Sequence, residues 1–214
     1  MNELNIRKEI ISTCQKMEEL GINQGTSGNI SYRFNDGILI TPSGISYEVL
    51  KPEDIVFVPF SSKKEYKGEY PPSSELDFHF DILKAKPQVD CVLHNHSIYA
   101  TSMAICRMDI PAHHYMVGIG GGKKIPCASY ATFGSSELSQ NIIKALDGYH
   151  TCLLANHGVV TTAKTLKKAL NLAVEVENLA KQYIMAKQVG EPVILSDKEM
   201  DKILEKIKFY GTKK

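Results

Sequence analysis

Residues 4–20 place Leu4, Ile10, Ile11, Cys14, Met17 and Leu20 near a 3.6-residue period, with Gly21 directly behind them. That spacing lines one face of a helix, and a glycine just past the end suits a helix stop. The rhythm then changes to two. Ile30, Tyr32 and Phe34 alternate in "GNISYRF", "NDG" at 35–37 is a turn signal, and "ILIT" follows, which together predict a β-hairpin. "DIVFVPF" predicts another strand, with the charged "KKEYKGE" as its exposed partner.

Further along, helical and strand patterns interleave. "PPSSELDFHFDILKAKP" predicts a helix capped by Ser73 or Ser74 and ended before Pro87. "VDCVLHNH" predicts a strand, and "SIYATSMAIC" a helix capped by Ser97. "SSELSQNIIKAL" predicts a helix and "TCLLANHGVVTTA" a strand, turn and strand. A long amphipathic helix spans 165–189, and "SDKEMDKILEKIKFYG" closes the chain, with Ser196 as cap and Glu199 completing a capping box. There is no repeat, low-complexity tract or linker, so residues 1–214 are expected to form one α/β domain. The hairpins exclude a purely parallel sheet.

Composition narrows the function classes. The 214 residues carry 25 basic and 24 acidic side chains, a net charge of +1. So even a balance gives no electrostatic reason to expect nucleic acid or an anionic membrane as partner. No stretch approaches the roughly 20 apolar residues of a membrane span, and the charged start "MNELNIRKEI" does not read as a signal peptide. Cys14, Cys91, Cys106, Cys127 and Cys152 are odd in number and form no C-x-x-C pair. Buried thiols in a reducing cytoplasm are expected.

The candidate chemistry begins in "CVLHNHSIYA", where His94 and His96 flank Asn95. Side chains at i and i+2 of a strand share a face, with Cα atoms about 6.6 Å apart. Two imidazoles can reach one ion from there, or hydrogen-bond as a pair. "LLANHGVV" brings His157 to the end of a second apolar strand, with Gly158 turning the chain. Three imidazoles and one open position make a catalytic zinc pattern. A turn histidine bonded to backbone is the alternative for His157. His79 reads as a surface or packing residue on a helix face, and His150 as solvated in a polar turn. His113 and His114 read as loop residues or as supports of a site.

Glu75 stands at a helix start, where a carboxylate suits the helix dipole or moves a proton beside a metal. The same helix start, with Ser73 and Ser74, can receive an anion. "GTSGN", with Gly28 and Asn29, and "TPSG", with Ser43 and Gly44, offer loops for close approach or simply turns. "GIGGGKK" at 118–124 lacks the context of a phosphate-binding loop and reads as a flexible loop.

Taken in order, "NQGTSGNIS", "ITPSGISYE", "PPSSEL", "VLHNHS", "PAHHYM", "IPCASYATFG", "LLANHG" and "KFYG" resemble the zinc-dependent class II sugar-phosphate aldolases over essentially the whole chain. The chain is most similar to the branch acting on L-fuculose 1-phosphate. The wider family also holds a ribulose-phosphate 4-epimerase, a dehydratase and the non-catalytic adducin head. The resemblance implies a three-layer α/β/α sandwich around a largely antiparallel sheet. It further implies a cyclic homotetramer with active sites between subunits. His94, His96 and His157 would hold Zn²⁺, and Glu75 would be both fourth ligand and proton-transfer group. Gly28, Asn29, Ser43, Gly44, Ser73 and Ser74 would bind the sugar phosphate. Tyr115 would be the proton donor to the aldehyde, reaching in from a neighbouring subunit, and Phe133 and Tyr210 would position that aldehyde. Two departures fall at the aldehyde end: Ile207 in place of a phenylalanine, and "GTKK" without an arginine.

Overall fold

Alternation along the strands sets the layering. In the computed structural model, which describes residues 2–208, one sheet runs in the order β3-β2-β1-β4-β7-β6-β5. Its strands are β1 (Asn29–Phe34), β2 (Gly37–Ile40), β3 (Val56–Pro59), β4 (Cys91–Asn95), β5 (Cys127–Ala128), β6 (Thr151–Leu154) and β7 (Gly158–Ala163). Each neighbouring pair is antiparallel except β5 with β6. Successive side chains of a strand leave on opposite faces. Ile38, Ile40, Val92, Cys152 and Leu154 therefore join one core with α2 (Leu76–Ala85) and α4 (Ser136–Ala145). Leu39, Cys91, Leu93 and Leu153 leave the other way, toward α1 (Glu3–Glu19), α3 (Ile98–Ile105) and α5 (Leu166–Val189). α6 (Asp197–Ile207) joins that second layer through Met200. The result is the expected α/β/α sandwich. Among the described residues no helix is long and apolar enough to cross a membrane.

Several local expectations are corrected. "KKEYKGE" is not a strand: β3 meets it at one isolated bridge, Phe57 with Lys67. Its lysines and glutamates have no apolar alternation to bury, so solvated turns win. Neither Ser73 nor Ser74 caps α2. The cap position is Glu75, whose side chain makes no capping bond. Ser97 precedes α3 without capping it through its hydroxyl. The Glu177 carboxylate from α5 takes that place, accepting Tyr99 N at 2.9 Å and Ala100 N at 2.8 Å. Ser196 does cap α6, but Glu199 pairs with Lys202 at 2.8 Å, so the capping box is only half made.

The "GIGGGKK" segment is packed rather than flexible. It continues a 3₁₀ turn, Tyr115–Gly120. A Cβ on Gly118 would lie 2.7 Å from Ile207 Cδ1, and one on Gly122 would run into the Tyr149 ring. These glycines let α6 and an aromatic ring close onto the backbone. Of the cysteines, Cys14, Cys91 and Cys152 are buried as expected, while Cys106 is exposed.

Candidate metal centre

Strand register gathers the site. β1 and β4 pair so that Asn29 lies opposite His94, and β4 and β7 so that His94 lies opposite Val160. Val92 faces α2, so His94, two residues on, faces α2 as well. His96 follows just past the strand end, and His157 sits in the turn between β6 and β7. One ligand atom from each of the three histidines lies within 4.8 Å of the others. Their ring centroids are 4.8 to 5.0 Å apart. Glu75 reaches the same point from α2, with Oε2 3.1 Å from His94 Nε2 and Oε1 3.0 Å from His157 Nε2.

The hydrogen bonds say what this cluster lacks. His94 Nδ1 is 2.8 Å from the Val159 carbonyl oxygen. A carbonyl only accepts, so Nδ1 carries the proton. Complete burial pulls the His94 imidazole down to about 3, against the attraction of Glu75, so the ring is neutral and its Nε2 is bare. That bare nitrogen lies 2.8 Å from His96 Nε2 and faces the Glu75 carboxylate. A lone pair against a carboxylate repels unless a cation lies between them. Burial likewise lowers the His96 imidazole. Neutral imidazoles with bare nitrogens converging beside a carboxylate are what a divalent metal requires. The Val159 carbonyl supplies the outer hydrogen bond that fixes a ligating ring.

Glu75 is held low. Burial pushes its carboxyl up, but the facing His94, His157 and Asn29 outweigh it. His94 and Glu75 cannot both claim one proton. With His94 neutral, the ionised carboxylate rests on the 2.9 Å bond from Asn29 Nδ2 and on a cation held by the imidazoles. Glu75 Oε1 is buried and makes no hydrogen bond.

A cleft of about 370 Å³ opens onto this point. Gly28, Asn29, Ser43, Gly44, Ser73, Ser74, Glu75, His96, His157 and Phe133 all line it. The bridge Pro42–Pro72 zips the "TPSG" and "PPSS" loops together, with Ser43 N on Pro71 O at 3.1 Å and Ser73 N on Thr41 O at 3.0 Å. Those two N–H groups are thus spent within the fold. Ser73 Oγ accepts Glu75 N at 3.2 Å. The Asn29 carboxamide is turned toward Glu75 and His79. Thr26, Ser27 and Tyr130 also line the cleft. Thr26 and Ser27 lie inside "GTSGN", but nothing in the sequence alone distinguishes them or Tyr130 as site residues.

One expected residue lies elsewhere. Tyr115 begins the 3₁₀ turn, is half exposed and rests against His114, away from the lining of the cleft. Tyr210 lies outside the described residues. Of the two readings of His79, packing holds and surface does not: it is fully buried, bonded to Ser31 and Asn29, and pulled down to about 3 by burial. His113 packs near Tyr183 and His114 accepts Met116 N, so both serve their loop. His150 is exposed. Asn95 faces away from the cluster, and its Oδ1 accepts Ser97 N at 3.0 Å.

Gly158 is not the turn-maker it resembled. Asn156 takes the left-handed conformation, φ 56°, and Gly158 starts β7. A Cβ there would lie 2.5 Å from Asn95 O, 2.7 Å from His96 Cδ2 and 3.1 Å from His94 Cε1. Gly158→Ala is therefore expected to cost about 1–3 kcal/mol of stability and to weaken metal binding, read by thermal unfolding and metal titration. Wild-type metal affinity in that variant would contradict this packing role.

With the geometry in hand, comparisons with known proteins agree on one family. Residues 8–184 match the model of the class II aldolase and adducin N-terminal domain. A 5-methylthioribulose-1-phosphate/5-deoxyribulose-1-phosphate aldolase of Rhodospirillum rubrum is 47% identical over 210 residues, covering 98% of this chain and 94% of that protein. An L-fuculose phosphate aldolase of Escherichia coli K12 is 45% identical over 212 residues, covering 99% of this chain and 98% of that protein. A solved L-fuculose 1-phosphate aldolase superposes with a TM-score of 0.91 at 40% identity, covering 96% of this chain and 97% of that one. This chain belongs to the class II aldolase and adducin N-terminal domain family.

Proposed function

We propose that the protein is a zinc-dependent aldolase that reversibly cleaves a ketose 1-phosphate into dihydroxyacetone phosphate and a small aldehyde. The observation that carries this reading is the bare His94 Nε2 facing an ionised Glu75, with His96 and His157 beside them. That arrangement calls for a cation and sets a proton-transfer group next to it. When bound, the metal supplies Lewis-acid stabilisation of the charge that develops as the carbon–carbon bond breaks.

The chain's own residues do the rest. Gly28, Ser43, Gly44, Ser73 and Ser74 receive the phosphate at one end of the cleft, beside the positive end of α2, and Asn29 offers its second N–H. Glu75 takes and returns the proton at the carbon that becomes the hydroxymethyl end of dihydroxyacetone phosphate. Burial of Glu75, at 5% exposure, keeps competing water from that carboxylate. Tyr115 serves the aldehyde oxygen: it gives that oxygen a proton in condensation and takes the proton of the same oxygen, then the C4 hydroxyl, in cleavage. Because Tyr115 lies off the cleft of its own chain, this role needs a neighbouring copy, which supports a homotetramer with active sites between subunits. Phe133, at 67% exposure, is left bare for the aldehyde, with Tyr210 as its companion.

Relatives at 47% and 45% identity differ in the ketose phosphate they are named for. Two readings of the aldehyde are therefore carried. L-Fuculose 1-phosphate gives L-lactaldehyde, and 5-deoxy- or 5-methylthioribulose 1-phosphate gives an aldehyde without its hydroxyl. All of these end in an apolar group. Product analysis over these ketose 1-phosphates and L-ribulose 5-phosphate decides. Release of dihydroxyacetone phosphate from a ketose 1-phosphate is expected. Conversion of L-ribulose 5-phosphate to its 4-epimer, with no cleavage of any 1-phosphate, would overturn the proposal.

A further inference from the structure

His79 is a fully buried titratable group to which the chemistry above gives no task. Its bonds form a directed chain whose sense follows from one end. The Asn29 amide nitrogen donates to Glu75 Oε2 at 2.9 Å. The Asn29 oxygen then faces His79 Nε2, at 2.5 Å. An amide oxygen also only accepts, so Nε2 carries the proton of the neutral ring. His79 Nδ1 is bare, and it accepts the Ser31 hydroxyl at 2.7 Å. Every member is buried: Ser31 and His79 at 0%, Glu75 at 5% and Asn29 at 6% exposure. Phe78 stacks on the imidazole, with centroids 4.6 Å apart.

The consequence falls on the two oxygens of Glu75. Oε2 is pinned by Asn29, whereas Oε1 has no such tie to the fold and faces only the histidine cluster, 3.0 Å from His157 Nε2. Without His79, the Asn29 oxygen would lose its donor and the carboxamide could rotate. We infer that His79 is a positioning residue: through Asn29 it holds Oε2 of Glu75 and leaves Oε1 as the oxygen that exchanges a proton with substrate. This rests on the reading of Glu75 as the proton-transfer group. It also accounts for Asn29 and Ser31 as alternate polar positions on an interior strand.

Two independent arms test it. The first needs no activity. Histidine nitrogen-15 chemical shifts of the metal-free wild-type protein should show His79 protonated on Nε2 and bare on Nδ1. The opposite tautomer, or an imidazolium at neutral pH, would overturn the chain. The second compares two variants on L-fuculose 1-phosphate and 5-deoxyribulose 1-phosphate, with zinc content measured alongside. His79→Gln places an amide N–H where Nε2 lies, while His79→Asn reaches only the Nδ1 position. His79→Asn is expected to lower kcat by about 10- to 100-fold, the scale of an ångström misplacement, with KM and zinc content held. His79→Gln should restore much of that loss. In an Asn29→Ala background, His79→Asn should cost nothing more.

Equal losses in both variants together with lost zinc, or full additivity with Asn29→Ala, would show a general packing role and overturn the inference. If the wild type cleaves neither sugar phosphate, the proposed function fails, and the tautomer measurement still decides the bonding chain.

Discussion

Replacing His96 with alanine is expected to empty the metal centre while leaving the fold standing. His96 is the ligand to test because it lies past the end of β4, half-buried at the edge of the cleft. His94 is a poorer choice: it is wholly buried and holds the Val159 carbonyl, so its loss would leave an orphaned acceptor. With two imidazoles remaining, the cluster falls short of the three protein ligands of a catalytic zinc site. The metal is worth several kcal/mol at the transition state, and about 4 kcal/mol corresponds to roughly a thousandfold in rate. His96→Ala should therefore lose bound zinc and at least about a thousandfold in turnover. Its metal-free stability should change by about 1 kcal/mol or less. Zinc analysis, thermal unfolding and dihydroxyacetone phosphate release read the three quantities. A folded variant with full zinc and normal turnover would remove His96 from the site.

Glu75→Gln should fail differently. Glutamine keeps the shape and can still accept the Asn29 N–H now made to Oε2, but it cannot take a proton. General acid–base groups contribute about 10²–10⁴-fold, and a loss of that size is expected in cleavage. Exchange of the hydroxymethyl proton of dihydroxyacetone phosphate with solvent should fall with it. Zinc should remain, because three imidazoles are untouched. The contrast separates a ligand from an acid–base group: one variant loses the metal, the other keeps the metal and loses the proton. Normal turnover by Glu75→Gln would end the acid–base assignment.

The metal cluster was legible because its signal is local. Two histidines two apart on an apolar strand, and a third at the end of another, are visible without knowing how the strands pair. The layering was legible for a similar reason, since alternation in "GNISYRF" and "ILIT" already separates two faces. The bonding of His79 was not legible. Four residues after Glu75 on an amphipathic helix, it resembles many surface histidines. Its burial depends on β1 lying inside the sheet, between β2 and β4. The available hint was the pair Asn29 and Ser31, two polar side chains on one face of that strand.

Gly158 misled for a different reason. A glycine after "ANH" reads as a turn, yet the turn uses Asn156, and Gly158 clears space for His94, His96 and Asn95. That requirement comes from β7 crossing beside β4, a contact between distant parts of the chain. Tyr115 marks the opposite limit. Its motif was recognisable, but its half-exposed position off the cleft gives it no contact with the site of its own chain.

The central claim is that metal held by His94, His96 and His157 drives cleavage. The direct measurement is dihydroxyacetone phosphate release from a cleaved ketose 1-phosphate as zinc is stripped with a chelator and then returned. Activity should fall to background as bound zinc disappears and recover in step with one zinc per chain. Borohydride added with substrate should trap no lysine adduct. Full activity in protein shown to be metal-free would contradict the claim.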